Sequence, residues 1–321
     1  MIDRKDIHRR LALLRDDFVR NEPYHSFFEQ FDRQLQRRRA AQSLDLIEEA
    51  RAIAVIGAAG SGKTRLVKRV LEQNQDLTDP KDGDELIDYM RIIVPASETM
   101  KNLAILLREK LGYESERKSD NASEIWRQVH VQLRNRRTFY IHLDEAQHLI
   151  ASPNENVRAG VVDRLKTLLN NDTWPVGLIL SGTPKLLEML NSDPQLGRRV
   201  DLVKLPAISR VSHAKEVQAI ISAYAAKAQI SLSEDLDFDD LVPRLIHAGA
   251  NEFGNTIAML GFALEDALLE GAAELKLGHF SEAFRRTAGC VPALNIFVAA
   301  DYLSIDARKM FWDHFSKFGG K

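Results

Sequence analysis

The chain has 321 residues, of which 45% are hydrophobic and 28% are charged, and its formal net charge at pH 7 is -2. This is enough apolar material for about two domains of ~150 residues, and no stretch approaches the ~18–20 uncharged apolar residues of a membrane span. The charged N-terminus is not typical of a secretory signal. The single cysteine, Cys290, excludes a framework of internal disulfides and fits a small core residue better than a reactive thiol. We therefore expect a cytoplasmic protein.

Residues 1–50 carry a helical pattern of apolar residues that is broken near Pro23, and we expect an N-terminal helical arm there. Residues 37–39 of this arm are three consecutive arginines, followed by the acidic segment DLIEEA. Such a run either contacts nucleic acid or forms a solvated helix face beside acidic neighbours.

Five short apolar runs between residues 51 and 206 are separated by helical patterns. The runs are AIAVIG, MRIIVPA, TFYIHLD, VGLILSG and VDLVKLP. This alternation predicts βαβ units around a buried parallel sheet, so that residues 51–206 form an α/β core. From residue 207 to residue 275 the spacing is helical throughout, which predicts a small all-helical domain. Residues 276–321 are a mixed C-terminal tail, in which we expect partner binding.

The first apolar run leads into Gly57-Ala-Ala-Gly-Ser-Gly-Lys-Thr64, which matches the pattern G-x-x-x-x-G-K-[ST]. Glycines let backbone N–H groups converge on phosphate oxygens, and the following helix directs its positive end towards them. Lys63 supplies charge for the β- and γ-phosphates, and the Thr64 hydroxyl is a ligand for Mg²⁺. The alternative is a plain glycine turn. The nucleotide contacts expected from the motif are Gly57, Ala58, Ala59, Gly60, Ser61, Gly62, Lys63, Thr64 and Arg65.

A phosphate loop of this kind requires a second, acidic strand, and the run TFYIHLD ends in Asp144-Glu145. Ligands of open α/β sheets bind at the carboxyl ends of the strands. We expect Asp144 to hold Mg²⁺ through water, and Glu145 to act as the base that orients and activates the attacking water. Without the phosphate loop, an acidic pair after a strand is equally typical of a cap on the next helix.

Ser181 and Thr183 lie where the next apolar run ends, and either hydroxyl is a candidate sensor of the γ-phosphate. Their alternative role is to cap the helix predicted after Pro184, because Ser-Gly-Thr-Pro is a good helix start. Arg198 and Arg199 precede the last apolar run. An arginine that enters a neighbouring subunit's nucleotide site contributes ~10³–10⁵ in rate in known cases, whereas a lone surface arginine is usually an ion-pair partner. Two arginines in tandem favour a contact of the first kind by one of them.

These motifs, in this order, resemble the AAA+ ATPases over about residues 30–275. Within that family, the segments YIHLDEAQHL, SGTPKLLEMLNSDPQLGRR and AGANEFGNTIAMLGFALEDALLEGA look like the TniB/TnsC branch of transposition regulators, which includes the more distant MuB. The resemblance implies a P-loop AAA+ core followed by a helical lid, with ATP and Mg²⁺ as cofactors. It also implies homo-oligomers, as rings or helical filaments, on double-stranded DNA, with a transposase and a TniQ-like protein as partners.

The chain departs from the family at the lid. Many AAA+ lids place an arginine directly after a Gly-Asn or similar turn, but here the turn reads Gly254-Asn255-Thr256-Ile257. We therefore expect slow hydrolysis that a partner stimulates, which suits a DNA-coating switch better than a processive motor.

The near-neutral net charge neither indicates nor excludes nucleic acid, because a local stripe repeated across an oligomer can supply the field. In the family, the segment after the second strand faces the duplex, so Thr99 and Lys101 of VPASETMKNLAILL are candidate DNA contacts. Their alternative is a helix cap followed by a solvated lysine. The basic run that includes Arg134, Arg136 and Arg137 is more typical of a solvated helix end.

Taken together, the sequence predicts an ATP-dependent DNA-binding regulator without sequence specificity. It would oligomerise on duplex DNA, direct a transposase to its target, and be released by ATP hydrolysis. The alternative is a secretion-type or signalling AAA+ ATPase that acts on protein partners without DNA, because Asp-Glu-Ala-Gln also occurs in those proteins. A small-molecule kinase explains less, since it has no use for tandem arginines or a helical lid.

Overall fold

The computed structural model describes residues 4–78, 85–96, 100–113 and 121–308. The chain divides into two compact units. The helical unit comprises Met1–Val19, Ala59–Gly62 and Pro206–Lys321, and the α/β unit comprises Arg20–Ala58 and Lys63–Leu205. Among the described residues, no helix combines the length and apolar character that a membrane crossing requires.

The α/β unit is built on five parallel strands in the spatial order β2-β3-β4-β1-β5. The strands are β1 (Ala52–Gly57), β2 (Tyr89–Ile93), β3 (Tyr140–Asp144), β4 (Gly177–Gly182) and β5 (Val200–Leu205). Each overlaps one of the five apolar runs, so the parallel α/β sheet predicted from the sequence is confirmed. Every residue of β1, β3 and β4 is buried, as expected of a parallel sheet covered on both faces.

Helices are numbered along the chain, and α1 (Arg4–Asp16) belongs to the helical unit. The helices of the α/β unit are α2 (Glu22–Ser43), α3 (Lys63–Gln73), α4 (Met100–Lys110), α5 (Ala122–Asn135), α6 (Glu155–Leu169), α7 (Leu186–Ser192) and α8 (Pro194–Gly197). Residues of α4, α5 and α6 share one apolar cluster with alternate strand residues such as Ala54, Met90 and Leu178. These helices therefore cover one face of the sheet.

Helix α2 packs against strand residues of the opposite face. Its N-cap is Asn21, whose side chain accepts from the Tyr24 backbone N–H at 3.2 Å, and Pro23 occupies the first turn. Phe27, Phe31 and Leu35 follow at four-residue spacing and are fully buried, which is worth ~1.5–3 kcal/mol for each side chain. The Phe31 ring lies 4.8 Å from the ring of Tyr140 in β3.

Among the described residues, the helical unit contains α1, four further α-helices and two short strands. They are α9 (Ala214–Ala228), α10 (Phe238–Ala248), α11 (Phe253–Glu270), α12 (Leu277–Ala288) and a short parallel pair of strands, β6 (Ser231–Leu232) and β7 (Glu274–Leu275). The two short strands are a correction to the purely helical pattern expected after Pro206. Cys290 is buried in the core of this unit, and burial raises the pKa of its thiol.

The observed division differs from the expected one at both ends of the chain. Leu11 and Leu14 of α1 are buried in the core of the helical unit, so residues 1–50 do not form one arm. In the expected C-terminal tail, Phe280 and Phe284 of α12 are buried in the same core. These contacts are made between residues far apart in the sequence, so helical periodicity alone does not reveal them.

Candidate functional site

The phosphate loop joins the end of β1 to the start of α3. Gly60 and Gly62 have φ angles of 82° and 100°, which L side chains rarely adopt, so the loop needs glycine at both positions. Lys63 is buried, and its Nζ donates to the carbonyl oxygens of Gly57 at 2.9 Å and Ala58 at 2.8 Å. The ammonium group therefore lies over the backbone of its own loop.

The start of α3 directly follows the glycine loop. The first N–H groups of a helix lack partners within the helix, and its N-terminus carries partial positive charge. No acidic residue lies in the first turn of α3. Ser61, just before the helix, is buried, and its Oγ has no hydrogen-bond partner among the described residues. These groups have the chemistry needed to hold a phosphate chain.

Asp144, the last residue of β3, accepts four hydrogen bonds. Its Oδ2 accepts from Thr64 Oγ1 at 2.8 Å and from Arg91 Nη2 at 2.6 Å. Its Oδ1 accepts from Ser181 Oγ at 2.5 Å and from the Glu145 backbone N–H at 3.1 Å. The structure therefore brings the predicted hydroxyl and the predicted carboxylate of a Mg²⁺ site into direct contact. Hard oxygen donors of this kind fit Mg²⁺, which usually takes one or two protein ligands beside substrate phosphates.

Opposing effects act on the pKa of Asp144. Burial raises it, but hydrogen bonds from the side chains of Ser181, Arg91 and Thr64 together lower it below its ordinary value. The carboxylate is therefore ionised at neutral pH. Burial also lowers the pKa of His142 to about 4, so this imidazole is neutral.

Glu145 has a left-handed backbone, with φ 57° and ψ 36°, which costs energy in a residue with a side chain. A short 3₁₀ helix (Ala146–Ile150) follows it, but the Glu145 side chain makes no capping hydrogen bond to that helix. Instead its Oε2 accepts from Gln147 Nε2 at 2.5 Å, and Gln147 Oε1 accepts from the Thr183 backbone N–H at 3.0 Å. The capping alternative for Glu145 is therefore not supported.

The two candidate sensor residues have different environments. Ser181 is completely buried beside Asp144, whereas Thr183 follows β4 and its Oγ1 has no hydrogen-bond partner among the described residues. Neither side chain caps α7, because the N-cap position is Lys185 and no side-chain capping bond is present there.

The two arginines before β5 also have different environments. Arg199 forms an ion pair with Glu49, and also donates to Asn170 Oδ1 at 3.2 Å and the Gln195 carbonyl at 2.6 Å. Arg198 is exposed, and its side chain has no partner among the described residues. Of the two arginines, only Arg199 is therefore anchored by contacts within its own chain.

Both arginines lie at the end of the sheet opposite the phosphate loop. In the register of β1 and β5, Val200 pairs with Ala52 and Leu205 pairs with Gly57. Five residues of strand, about 16 Å at ~3.3 Å per residue, therefore separate the level of the arginines from that of Gly57. This is too far for an arginine side chain to reach the phosphate loop of its own chain.

Of the two candidate DNA contacts, Thr99 lies outside the described residues. Lys101 is the second residue of α4, is exposed, and has no side-chain partner among the residues that the structure describes. Helix α4 follows β2, whose last residue, Ile93, pairs with Asp144. Lys101 therefore comes shortly after the end of β2 that lies at the same edge of the sheet as the phosphate loop.

The two basic runs, residues 37–39 and 134–137, lie close together at the end of the sheet opposite the phosphate loop. Arg38 donates to the carbonyl oxygens of Phe139, at 2.7 Å, and Pro175, which ties α2 to the segments before β3 and β4. Arg134 and Arg137 are exposed and lie beside Arg38 around a cavity of about 470 Å³.

The start of α11 lies in the helical unit together with residues 59–62 of the phosphate loop. The Asn255 backbone N–H donates to the Gly60 carbonyl at 3.0 Å. A Cβ at Gly254 would lie 2.5 Å from the same carbonyl oxygen, so the close approach requires glycine. The turn that lacks an arginine thus contacts the loop through its backbone.

Three polar residues of the site were not predicted from the sequence: Arg91, His142 and Gln147. Arg91 and His142 are directly opposite each other in β2 and β3. The available signal was a polar, ionisable residue in the middle of each of two apolar strands. Such residues need polar partners when they are buried.

Residues 45–190 match the AAA domain family. Among solved structures, the chain is similar to the ORC2 protein of Aeropyrum pernix in its ADPNP-ADP complexes, with 19% identity, a TM-score of 0.54, and coverage of 83% of this chain and 67% of that one. It is also similar to Cdc6p of Pyrobaculum aerophilum, with 15% identity and a TM-score of 0.53, over 73% of this chain and 60% of that one. The chain thus spans three fifths of Cdc6p.

A curated protein with a matching sequence was not found. At these identities the structural similarity establishes the fold, which is the P-loop AAA+ fold with a five-stranded parallel sheet. The domain match at residues 45–190 and this fold together support an AAA+ ATPase.

Proposed function

We propose that this protein is an AAA+ regulator of the TniB/TnsC type, which binds ATP, oligomerises on duplex DNA without sequence specificity, directs a transposase to its target and leaves the DNA after hydrolysis. The observation that carries the proposal is the placement of Arg198. It is exposed and lies about 16 Å of strand away from its own phosphate loop. An arginine so placed can reach a nucleotide only if that nucleotide belongs to another subunit, and such a contact would couple ATP to assembly.

ATP binding is supported by the phosphate loop and by a structural relative solved in ADPNP-ADP complexes. The backbone of residues 57–62 and the start of α3 would hold the phosphates, and Lys63 would transfer its hydrogen bonds from the Gly57 and Ala58 carbonyls to phosphate oxygens. Thr64 and Asp144 would hold Mg²⁺, which would neutralise negative charge on the phosphates.

Hydrolysis requires a base and an ordered site. Glu145 is held by Gln147 next to the carboxylate of Asp144, and we assign it to orient and deprotonate the attacking water. The Ser181 hydroxyl already donates to Asp144, so its role is to position that carboxylate. Thr183 Oγ1 has no partner in the described structure and is the better candidate for sensing the γ-phosphate.

Assembly on DNA follows if ATP favours the associated state over the free one. Arg198 of one subunit would complete the nucleotide site of the next, and Arg199 would hold the segment in place through Glu49. Lys101 would contact the phosphate backbone, which fixes position without reading sequence. The assignment to transposition rests on the sequence segments that look like the TniB/TnsC branch.

The proposal is tested with the full chain and its Lys63→Ala variant. ATP affinity and particle size, with and without duplex DNA, are measured together by fluorescent-nucleotide binding and light scattering. We expect the wild type to form large particles only with ATP and DNA, and the variant to lose nucleotide binding and assembly. The matched control is Lys68→Ala, an exposed lysine of the same helix that forms an ion pair with Glu72. ATP-dependent particles of Lys63→Ala would contradict the proposal.

A further inference from the structure

Arg91 is a charged residue in the middle of β2, next to the candidate nucleotide site. Its Nη2 lies 2.6 Å from Oδ2 of Asp144, the same oxygen that accepts from the Thr64 hydroxyl. The Asp144 side chain is 3% exposed, and that of Arg91 is 33% exposed. Arg91 therefore reaches from the partly solvated edge of the sheet to a buried carboxylate.

The four hydrogen bonds to Asp144 fill the positions that a carboxylate offers, because its two oxygens have about four lone-pair sites. Thr64 and Arg91 occupy Oδ2, and Ser181 and the Glu145 backbone occupy Oδ1. A metal ion, or a water bound to it, can therefore reach this carboxylate only if one of the donors leaves.

Arg91 is the donor best able to leave. Ser181 is completely buried and the Glu145 donor is backbone, so neither can move away without disturbing the sheet. Thr64 belongs to the metal site itself. Arg91 carries the only positive charge among the four donors, and its partial exposure gives its guanidinium access to water. A dication that replaces it keeps the buried carboxylate neutralised, as a buried charge requires.

We propose that Arg91 is the resting counter-ion of Asp144: it holds the carboxylate in position before nucleotide arrives and is exchanged for Mg²⁺ when metal and nucleotide bind. The inference rests on the proposed nucleotide site and adds a residue to it. Arg91 is a positioning residue here, since it acts through Asp144. Because Mg²⁺ has to displace Arg91, the Mg²⁺ concentration needed to fill the site is higher than it would be without Arg91. Metal binding therefore depends on the nucleotide that binds with it.

The test compares the full chain with its Arg91→Gln variant, which keeps a hydrogen-bond donor but removes the charge. With ADP present, Mn²⁺ is titrated in place of Mg²⁺, and free Mn²⁺ is followed by electron paramagnetic resonance. The readout is independent of hydrolysis. Loss of a charged hydrogen bond corresponds to about tenfold or more in an equilibrium constant, so we expect the midpoint of Mn²⁺ binding to fall by about tenfold in Arg91→Gln.

The matched control is Arg51→Gln, which removes a more exposed ion pair, 2.8 Å from Arg51 just before β1 to Asp201 of β5. It should leave the Mn²⁺ midpoint unchanged. If Arg91→Gln does not fold, Arg91→Lys retains the charge on a smaller group with poorer geometry, and we expect an intermediate fall of the midpoint.

Three outcomes are distinguishable. A lower midpoint in Arg91→Gln with an unchanged midpoint in Arg51→Gln supports the exchange. Equal midpoints in all folded variants overturn it and leave Arg91 as an ion pair that only stabilises the fold. If the wild type fails to bind ADP at all, the proposed nucleotide site itself is wrong, and that result is obtained before any variant is compared.

Discussion

The imidazole of His142 and the hydroxyl of Ser181 form a buried hydrogen bond of 2.7 Å between β3 and β4. Ser181 donates its only proton to Asp144 Oδ1, so it must accept from His142 Nε2. This fixes the tautomer of the neutral imidazole with its proton on Nε2. The other ring nitrogen, Nδ1, is buried without a partner among the described residues, which an unprotonated acceptor tolerates better than a donor would. Protonation of this ring would place an unpaired charge in the sheet.

The first prediction follows from that ring. The pKa of His142 is about 4 in the folded chain and ~6.5 in an unfolded one, so between these values the unfolded chain binds more protons. The free energy of unfolding should therefore be fully retained above pH ~6.5 and decrease as the pH falls towards 4, by at most about 3 kcal/mol. Urea unfolding at several pH values between 7.5 and 4.5 measures this decrease.

The control for this prediction is His142→Gln, which can still donate to Ser181 but does not titrate. Its free energy of unfolding should depend less steeply on pH in the same window. His130, whose pKa burial also lowers, contributes in the same direction and remains in both proteins. Identical pH dependence of the variant and the wild type would remove His142 as the cause.

The local parts of the fold and of the site follow from the sequence, and the long-range parts do not. Strand β1, the glycine loop and α3 are contiguous, so apolar runs and turn residues are enough to predict them. The contact between Thr64 and Asp144 was also predictable, because parallel strands bring their carboxyl ends to one edge. The ion pair of Arg91 with Asp144 joins residues 53 positions apart and depends on β2 lying next to β3, which no local pattern encodes.

The arginine pair shows the same limit. Arg198 and Arg199 are adjacent in sequence and chemically identical, and the sequence left both as candidates. Glu49 and Asn170, which anchor Arg199, come from the segments before β1 and after α6. Only the folded chain brings these segments beside β5.

The second prediction separates nucleotide binding from turnover. Glu145→Gln keeps the shape of the side chain and a polar contact to Gln147 but removes the base. ATP should bind and persist, hydrolysis should fall by ~10²-fold or more, and complexes with DNA should last longer. Phosphate release and DNA dissociation are measured side by side. Glu155→Gln, at an exposed glutamate in the first turn of α6, is the matched control; unchanged phosphate release in Glu145→Gln would exclude Glu145 as the base.

The third prediction assigns the arginine that acts between subunits. Arg198→Ala should reduce ATP hydrolysis in assembled protein by ~10³-fold or more, while the fold is retained because Arg198 has no partner among the described residues. Arg199→Ala should instead lower the free energy of unfolding, since Arg199 is anchored within its own chain. Hydrolysis rates and urea unfolding of both variants distinguish the two roles.

Mixing provides the decisive control for Arg198. An Arg198→Ala subunit still has an intact phosphate loop, and a Lys63→Ala subunit still has an intact Arg198. A mixture of the two should recover part of the hydrolysis at interfaces where each supplies what the other lacks. If no mixing ratio restores activity, Arg198 does not act on a neighbouring subunit.

The fourth prediction concerns the path of the DNA. The net charge is -2, so affinity for duplex must come from a few placed cations multiplied by oligomerisation. Each phosphate contact contributes about 0.9 to the slope of log affinity against log salt concentration. Lys101→Ala should therefore reduce that slope by roughly one unit for each subunit contact, weaken all sequences alike, and leave ATP binding without DNA unchanged.

Binding curves over a salt series, on two duplexes of unrelated sequence, measure both quantities. The matched control is Arg134→Ala, because Arg134 is also exposed and lies in a helix of the same unit, in the last turn of α5, but near the opposite end of the sheet. A reduced slope in Lys101→Ala alone places the phosphate backbone along the start of α4. A reduced slope in Arg134→Ala alone places it at the other end of the sheet, beside Arg38. A loss of affinity that differs between the two duplexes would mean that Lys101 reads bases, because a contact to phosphate cannot distinguish one sequence from another.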